Sequence, residues 1–334
     1  MRALLNRLFD HESLSREEAR ETLKEIAAQT YPPAQVASFL TAFRMRSITV
    51  SELQGFRNAM LDLCTPVDLS EYDALDLCGT GGDGKDTFNI STLSAFIVAG
   101  SGVNVAKHGN NGVSSVCGSS NVLLHLGANF TADIDTLKRC LDKAGICYLH
   151  APLFHPAMKH VAPIRRELRI RTFFNMLGPL VNPSRPKRQL IGVFNLELAR
   201  LYTYLLQQEE MDFTIAHSLD GYDEISLTGP CKIHSALGEQ LLTPRDMGFS
   251  QLAQEDLYGG EDVASSAKIF MNVLQGEGTQ AQQDVVVANA GMAIHCARPT
   301  ISRTEAFETA RETLLSKRAL HAFTTFVEES QKAP

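Results

Sequence analysis

The chain has 334 residues, 44% hydrophobic and 21% charged, which suits a globular protein of about two domains and excludes disorder, coiled coil and collagen. Its 31 Lys and Arg against 38 Asp and Glu leave a net charge of −7. Nucleic acid therefore meets no global positive field, and any anion must be held by local groups.

The first residues carry too short an apolar run for a signal peptide. The longest weakly polar stretch, 93–105, falls short of the ~18 residues needed to span a bilayer, so no membrane partner is expected. Trp is absent, which argues against stacking platforms for single strands. Seven scattered cysteines without a CxxC pair exclude a disulfide framework or zinc ribbon and point to a reduced, cytoplasmic setting.

Residues 1–70 read as helical. Ser15 with Glu18, and Thr49 with Glu52, form capping boxes, and Pro32-Pro33 separates a helix at about 15–29 from one at 35–45. Leu53, Phe56, Ala59, Met60 and Leu63 recur at helical spacing and give the next helix one apolar face. This part carries few residues suited to chemistry, and its expected roles are support and oligomerisation.

From about residue 73 the texture changes. Short apolar runs at 74–78, 103–106, 147–149, 189–193 and 213–217 each lead into a Gly-rich or polar loop, with helical segments such as 92–100 and 121–126 between them. Alternating strands and helices predict an α/β domain with a mostly parallel central sheet. Function is then expected in the loops that follow strands. The segment 275–283, QGEGTQAQQ, reads as a polar loop or helix start.

The loop after the first strand, DLCGTGGDG, packs Gly79, Gly81, Gly82 and Gly84 into six positions. Glycines admit positive φ and bring backbone N–H groups close to a ligand, which makes an anion-binding nest. It is not a Walker A loop, because no GK[ST] follows, and it lacks GxGxxG spacing. Downstream, Thr87, Asn89, Ile90, Ser91 and Thr92 open a helix. Their polar side chains read either as helix caps or as phosphate donors with a hydroxyl ligand for magnesium.

After the second strand come Lys107, His108, Gly109, Asn110, Asn111, Gly112, Val113, Ser114 and Ser115, with Ser119 further on. A lysine at a strand end is a mobile point charge suited to phosphate. His108, taken alone, reads as a structural hydrogen-bonder before a catalyst, and Asn110, which could hold a substrate amine, reads alone as a turn residue. His150, His155 and His160 are spaced by five, which does not place them on one helical face, and Pro152 and Pro156 break the segment. No zinc site is expected there.

GTGGDG, TFNIST and KHGN at these separations resemble the anthranilate phosphoribosyltransferase family of tryptophan biosynthesis. So do His155-Pro156-Ala157-Met158-Lys159, the RTFFNMLGPL run from Arg171 to Leu180, Asn182-Pro183, and Gly221-Tyr222-Asp223-Glu224. The resemblance implies a small helical domain, 1–70 joined by a later helical insertion near 165–188, that forms a homodimer interface, and an α/β domain over 71–334. It implies an active site in the cleft between the two, closed by hinge motion. The reaction it implies moves the phosphoribosyl group of phosphoribosyl pyrophosphate to the amine of anthranilate, with Mg2+.

By the same resemblance the donor contacts Gly79, Gly82, Asp83, Thr87, Asn89, Ile90, Ser91, Thr92, the run Lys107 to Ser115, and Ser119. Magnesium is held by Ser91, Asp223 and Glu224. Anthranilate is held by Asn110 and Arg165 with the Gly79 backbone nearby, and His108, His155 and Gly178 line its channel. Lys107, His108 and Asn110 are the catalytic set. Arg166, Arg169 and Arg171 compete with Arg165 on sequence alone, and the resemblance selects Arg165.

These residue types suit displacement at an anomeric carbon. Negative charge grows on the leaving pyrophosphate while the ribose gains oxocarbenium character, so preorganised donors and a hard cation do most of the work. No strong general base is needed, because an aromatic amine is neutral at pH 7. The chain departs from the family pattern at Asn111, where Arg is frequent, at Ser120-Asn121 in place of Ala-Asp, and at Arg169 in place of Gly. The first touches the donor loop; the others are read as local packing. Rival readings are a pyrimidine nucleoside phosphorylase and a non-catalytic nucleic-acid-binding homologue. The sequence leaves a complex with an anthranilate synthase partner open.

Overall fold

The structure is a computed structural model that describes residues 1–112 and 117–332. It divides into two compact units: Met1–Pro66 with Ala151–Pro183, and Val67–His150 with Ser184–Pro334. The segment that joins the helical unit thus starts at Ala151, directly after a strand, earlier than the 165 expected.

In the helical unit, helices Arg2–Phe9, Arg16–Ala27, Pro33–Met45 and Val50–Leu63 are followed after the excursion by Ala151–Phe154, Met158–Leu168 and Phe174–Leu177. Both predicted capping boxes are present, at Ser15 with Glu18 and at Thr49 with Glu52. Phenylalanines bind the two stretches of chain together. Phe173 stacks on Phe56 at 4.2 Å between centroids and meets Phe39 and Phe43 edge-on. The Thr65 N–H donates to the Phe154 carbonyl (2.8 Å), and Arg57 Nε to that of Leu180 (3.2 Å). Large aromatic burial of this kind, with edge and offset contacts, is what a short inserted segment needs to stay docked.

The larger unit is built on a seven-stranded sheet: β1 (Leu75–Gly79), β2 (Val105–Gly109), β3 (Ile146–His150), β4 (Arg188–Gly192), β5 (Asp212–Ser218), β6 (Cys231–Ser235) and β7 (Gly238–Leu242). Their order is β3-β2-β1-β4-β5-β6-β7. The first five are parallel, and β6 and β7 add an antiparallel hairpin that the sequence pattern did not signal. Helix Gln280–Ala297, almost wholly buried from Val285 to Ile294, packs on β4 and β5 beside helix Ile90–Gly100. Its start accounts for part of the 275–283 segment, with Thr279 as cap. Together the units give the expected class, a small helical part and an α/β part with a mostly parallel sheet. Among the described residues no helix is long and apolar enough to cross a membrane.

From β1 the chain runs to β2 and β3 on one side, then crosses to β4 on the other. A crevice at the carboxyl ends of β1 and β4 is the usual ligand position in such sheets.

Candidate functional site

At that crevice Gly79 of β1 pairs with Gly192 of β4. Both are glycine for one reason: the Asp223 segment lies directly over them. A methyl on Gly79 would overlap Asp223 Oδ2 and stand 2.9 Å from its Cγ, while one on Gly192 would overlap the Asp223 carbonyl oxygen. Beyond Gly79 the chain turns through Gly81, Gly82 and Gly84, all in the left-handed region. This turn aims the Gly81 N–H at Asp223 Oδ2 (2.6 Å). The Ser91 N–H, in the first turn of helix Ile90–Gly100, donates to Glu224 Oε1 (3.0 Å).

Asp223 is therefore tied to the glycine turn, and Glu224 to the start of the helix that follows it. Burial, and then the Asp83 charge, push the Asp223 carboxyl up to about 7. Glu224 is pushed well above the usual range by burial and by the Asp223 and Asp83 charges, against Lys107, which acts the other way. Crowded, desolvated carboxylates of this kind fit a cation. Among the described residues no three His, Cys, Asp or Glu side chains form a cage. Magnesium takes hard oxygen ligands such as carboxylates and hydroxyls, and keeps waters and phosphate oxygens beside them. Ser91, Asp223 and Glu224 fit such an ion.

The loop from Asp83 to Phe88 is pinned by residues that the sequence reading missed. The Phe88 N–H donates to the Leu257 carbonyl (3.1 Å), the Gly259 N–H to that of Asp86 (2.7 Å), and Thr87 bridges Tyr258. Lys85 Nζ lies over the Tyr222 ring at 4.5 Å, next to the acidic pair. Nothing local in 254–260 signals this strap, because its partners lie some distance away in the chain. Asn89 occupies the N-cap position without a side-chain cap; its Nδ2 donates to the Cys117 carbonyl (3.0 Å). Ile90 and Thr92 are buried, and among the described residues the buried Asn89 Oδ1 and Thr92 Oγ1 have no hydrogen-bond partner.

Lys107 differs from expectation. β2 continues to Gly109, so the lysine lies within the sheet, 2% exposed, with Nζ donating to the Leu77 carbonyl (2.6 Å). Burial lowers its pKa, partly offset by Cys78, Asp76 and Glu224. It is a fixed internal charge rather than a mobile one at the strand end. His108 is buried, while Asn110, Asn111 and Gly112 are exposed.

Tyr148, also missed, organises the approach. Its hydroxyl meets Ser119 Oγ (2.7 Å) and Ser120 Oγ (2.8 Å), and a side chain on Gly109 would collide with it. The Asn110 carbonyl accepts from the Ser120 N–H (3.1 Å) and from Ser119 Oγ (3.2 Å). Asn121 Oδ1 accepts from the N–H groups of Gly112 (2.9 Å) and Gly118 (3.1 Å). The Ser120-Asn121 departure thus organises the loop rather than packing alone. Val113, Ser114 and Ser115 lie outside the described residues.

In the helical unit Arg165 sits on the last turn of helix Met158–Leu168. It is half-buried, whereas Arg166, Arg169 and Arg171 are exposed. Its Nη2 donates to Asn175 Oδ1 (3.3 Å), and its guanidinium lies 5.2 Å from the Phe174 ring centre. Burial lowers its pKa. Asn175 also accepts from the Thr172 N–H (3.1 Å), so it fixes the arginine against the RTFFN turn. The Glu167 pairing that sequence alone would allow is not what holds it. His155 is buried, which lowers its pKa to about 4 and keeps the ring neutral. Gly178 is exposed, with open space where a side chain would project. His150 bonds Ser120 (2.8 Å) and His160 bonds Gln29 (2.8 Å), in different units.

Arg169 ends its helix at φ 51°. Glycine, the residue the family resemblance expects there, takes that conformation without the Cβ penalty.

The chain matches the glycosyl transferase family helical bundle domain over residues 2–64 and the a/b domain of the same family over residues 71–320. It is 58% identical over 320 residues to the anthranilate phosphoribosyltransferase of Flavobacterium psychrophilum, covering 96% of this chain and 97% of the relative. Among solved structures, that of anthranilate phosphoribosyltransferase from Thermus thermophilus is similar with a TM-score of 0.92 at 34% identity, covering 98% and 99% of the two chains. The Saccharomyces cerevisiae enzyme in complex with PRPP and Mg is similar with a TM-score of 0.91 at 27% identity, covering 98% and 97%.

Proposed function

The chain belongs to the anthranilate phosphoribosyltransferase family, and on that premise we propose how its own residues carry out the family's reaction. That reaction transfers the phosphoribosyl group of phosphoribosyl pyrophosphate to the amine of anthranilate, giving N-(5-phosphoribosyl)anthranilate and pyrophosphate, a step of tryptophan biosynthesis. The observation that carries the assignment is the tie of Asp223 and Glu224 to the Gly81 and Ser91 amides over the paired glycines of β1 and β4.

The donor's phosphates lie against the Gly79, Gly82 and Asp83 turn, Thr87, the backbone of Asn89, Ile90 and Thr92, the run Lys107 to Ser115, and Ser119. Lys107 acts from within the sheet, as a fixed positive field beneath the leaving group rather than as a reaching hand. Ser91, Asp223 and Glu224 hold Mg2+, which when bound neutralises charge on the pyrophosphate as it departs. Arg165 binds the anthranilate carboxylate, with its fork already set by Asn175 and Phe174. Asn110 holds the amine, with the Gly79 backbone close by, and His108, Gly178 and the neutral His155 line the channel that takes the ring. The amine needs no base to attack, so the chain's work is positioning and charge stabilisation, with no covalent intermediate.

Helices Arg2–Phe9 and Pro33–Met45 leave Phe9 and Met45 well exposed beside Ala37, Thr41 and Ala42. We propose that a second copy covers this face in a homodimer, and that the enzyme works in the cytoplasm, where its free thiols stay reduced.

The test is loss of anthranilate fluorescence on adding phosphoribosyl pyrophosphate, with magnesium and then with excess EDTA. The expected result is magnesium-dependent loss with an equal amount of pyrophosphate released. No loss, together with phosphorolysis of thymidine or uridine, would overturn the reading in favour of a nucleoside phosphorylase.

A further inference from the structure

β1 and β4 keep register over five residues, but among the described residues β1 and β2 pair at one position, Leu75 with Val105. There the Leu75 N–H donates to the Asn104 carbonyl (2.9 Å). Continued as a regular parallel ladder, that register would bring the His108 N–H to the Leu77 carbonyl. The structure replaces this step with two side chains. The His108 N–H donates instead to Asp76 Oδ1 (3.1 Å), and the Leu77 carbonyl accepts from Lys107 Nζ (2.6 Å). Asp76 is fully buried, and its Oδ2 accepts from Gln189 Nε2 on β4 (3.2 Å), so the carboxylate is anchored from the other side of β1.

A buried acid and a buried lysine in the middle of a sheet are costly, and a plain backbone bond would satisfy the same N–H and carbonyl for less. What the costlier arrangement does is replace a ladder bond between the two strands with a side-chain link next to their ends. The Gly79–Gly84 turn leaves the end of β1, and the Gly109–Gly112 loop leaves the end of β2.

We propose that Asp76 is a positioning residue for the reaction: paired with Lys107 as a side-chain wedge, it holds β1 and β2 apart so that the two loops are spaced to grip one phosphoribosyl pyrophosphate. The inference rests on the donor assignment above. Asp76 itself touches no substrate. It acts by fixing the His108 backbone and, through it, the start of the second loop.

The test compares Asp76→Ala with Asp76→Asn in the full chain, by titration calorimetry with phosphoribosyl pyrophosphate and Mg2+, by melting temperature and by amide hydrogen exchange. Loss of a hydrogen bond to a charged acceptor sets the expected scale, about 10-fold or more. Asp76→Ala should weaken donor binding by that factor and speed exchange across His108–Gly112, with β5 unchanged. Asp76→Asn keeps an oxygen for the His108 N–H and should bind donor within about 3-fold of the unaltered protein.

A merely structural role would lower the melting temperature of Asp76→Ala and leave donor affinity where it was, and that result overturns the proposal. Should Asp76→Ala fail to fold, the unaltered protein decides. Its His108 amide must exchange far more slowly than the exposed Asn111 amide, and equal rates overturn the wedge. Failure of the unaltered protein to bind the donor, with His108 protected, would refute the donor assignment instead.

Discussion

The tie between the glycine turn and the acidic pair can be broken without touching either carboxylate. In Gly79→Ala the new methyl would overlap Asp223 Oδ2 and crowd its Cγ at 2.9 Å, so the carboxylate must swing away and lose the Gly81 N–H at 2.6 Å. A hydrogen bond to a charged acceptor is worth about 1.5–3 kcal/mol, and each 1.4 kcal/mol is about tenfold. The magnesium concentration for half-maximal rate should therefore rise roughly 10- to 100-fold, as expected when a group that orients a metal ligand is disturbed. The assay is the initial rate of anthranilate fluorescence loss across a magnesium titration at saturating donor. Gly84→Ala is the control: it places a side chain at φ 76° with nothing within 4 Å, so it strains the turn without pushing Asp223. If Gly79→Ala titrates with magnesium as the unaltered enzyme does while the fold is intact, or if Gly84→Ala produces an equal shift, Asp223 does not hold the metal through this tie.

Arg165→Ala should raise the anthranilate KM by about 10- to 100-fold, the value of a lost charge-assisted contact, while the donor KM stays within a few-fold. Steady-state kinetics in both substrates check this, and equal effects on both would refute the carboxylate role. The metal-free protein should lose stability as pH rises from about 6.5 to 8. The folded Asp223 pKa is raised to about 7, so the folded state holds the extra proton at the low end of the window and gives it up at the high end. The buried His155, lowered to about 4, acts in the opposite sense but below that window. Magnesium should remove the slope, and Asp223→Asn should flatten it; thermal melts that are level or rising without metal would contradict the reading. Arg169→Gly should stabilise the chain by about 1 kcal/mol by relieving a left-handed non-glycine residue, read as a higher midpoint in urea.

What could be read from the sequence was what is encoded locally. Glycines crowded into one turn declare a backbone that takes positive φ or approaches another group: Gly81 and Gly82 do the first, and Gly79 lies against Asp223. Capping boxes announce themselves within four residues, as at Ser15 and Thr49. Failures occurred where the deciding partner lies far along the chain. Lys107 looks like a strand-end cation until β2 is seen to run on to Gly109, with the ammonium donating to the Leu77 carbonyl of the neighbouring strand. The strap at Leu257–Gly259 has no signature of its own, because what it does is donate and accept backbone bonds at Asp86 and Phe88. The segment from Ala151 joins the helical unit because Phe173 finds Phe39, Phe43 and Phe56, a match of shape that periodicity does not carry. Arg165 shows the two kinds of information meeting. Four nearby arginines are equivalent as letters, and burial beside Phe174 with a hydrogen bond to Asn175 separates one of them. Chemistry in this protein is thus written in short motifs, while contacts between neighbouring strands, such as that of the His108 N–H with Asp76, are set by the fold.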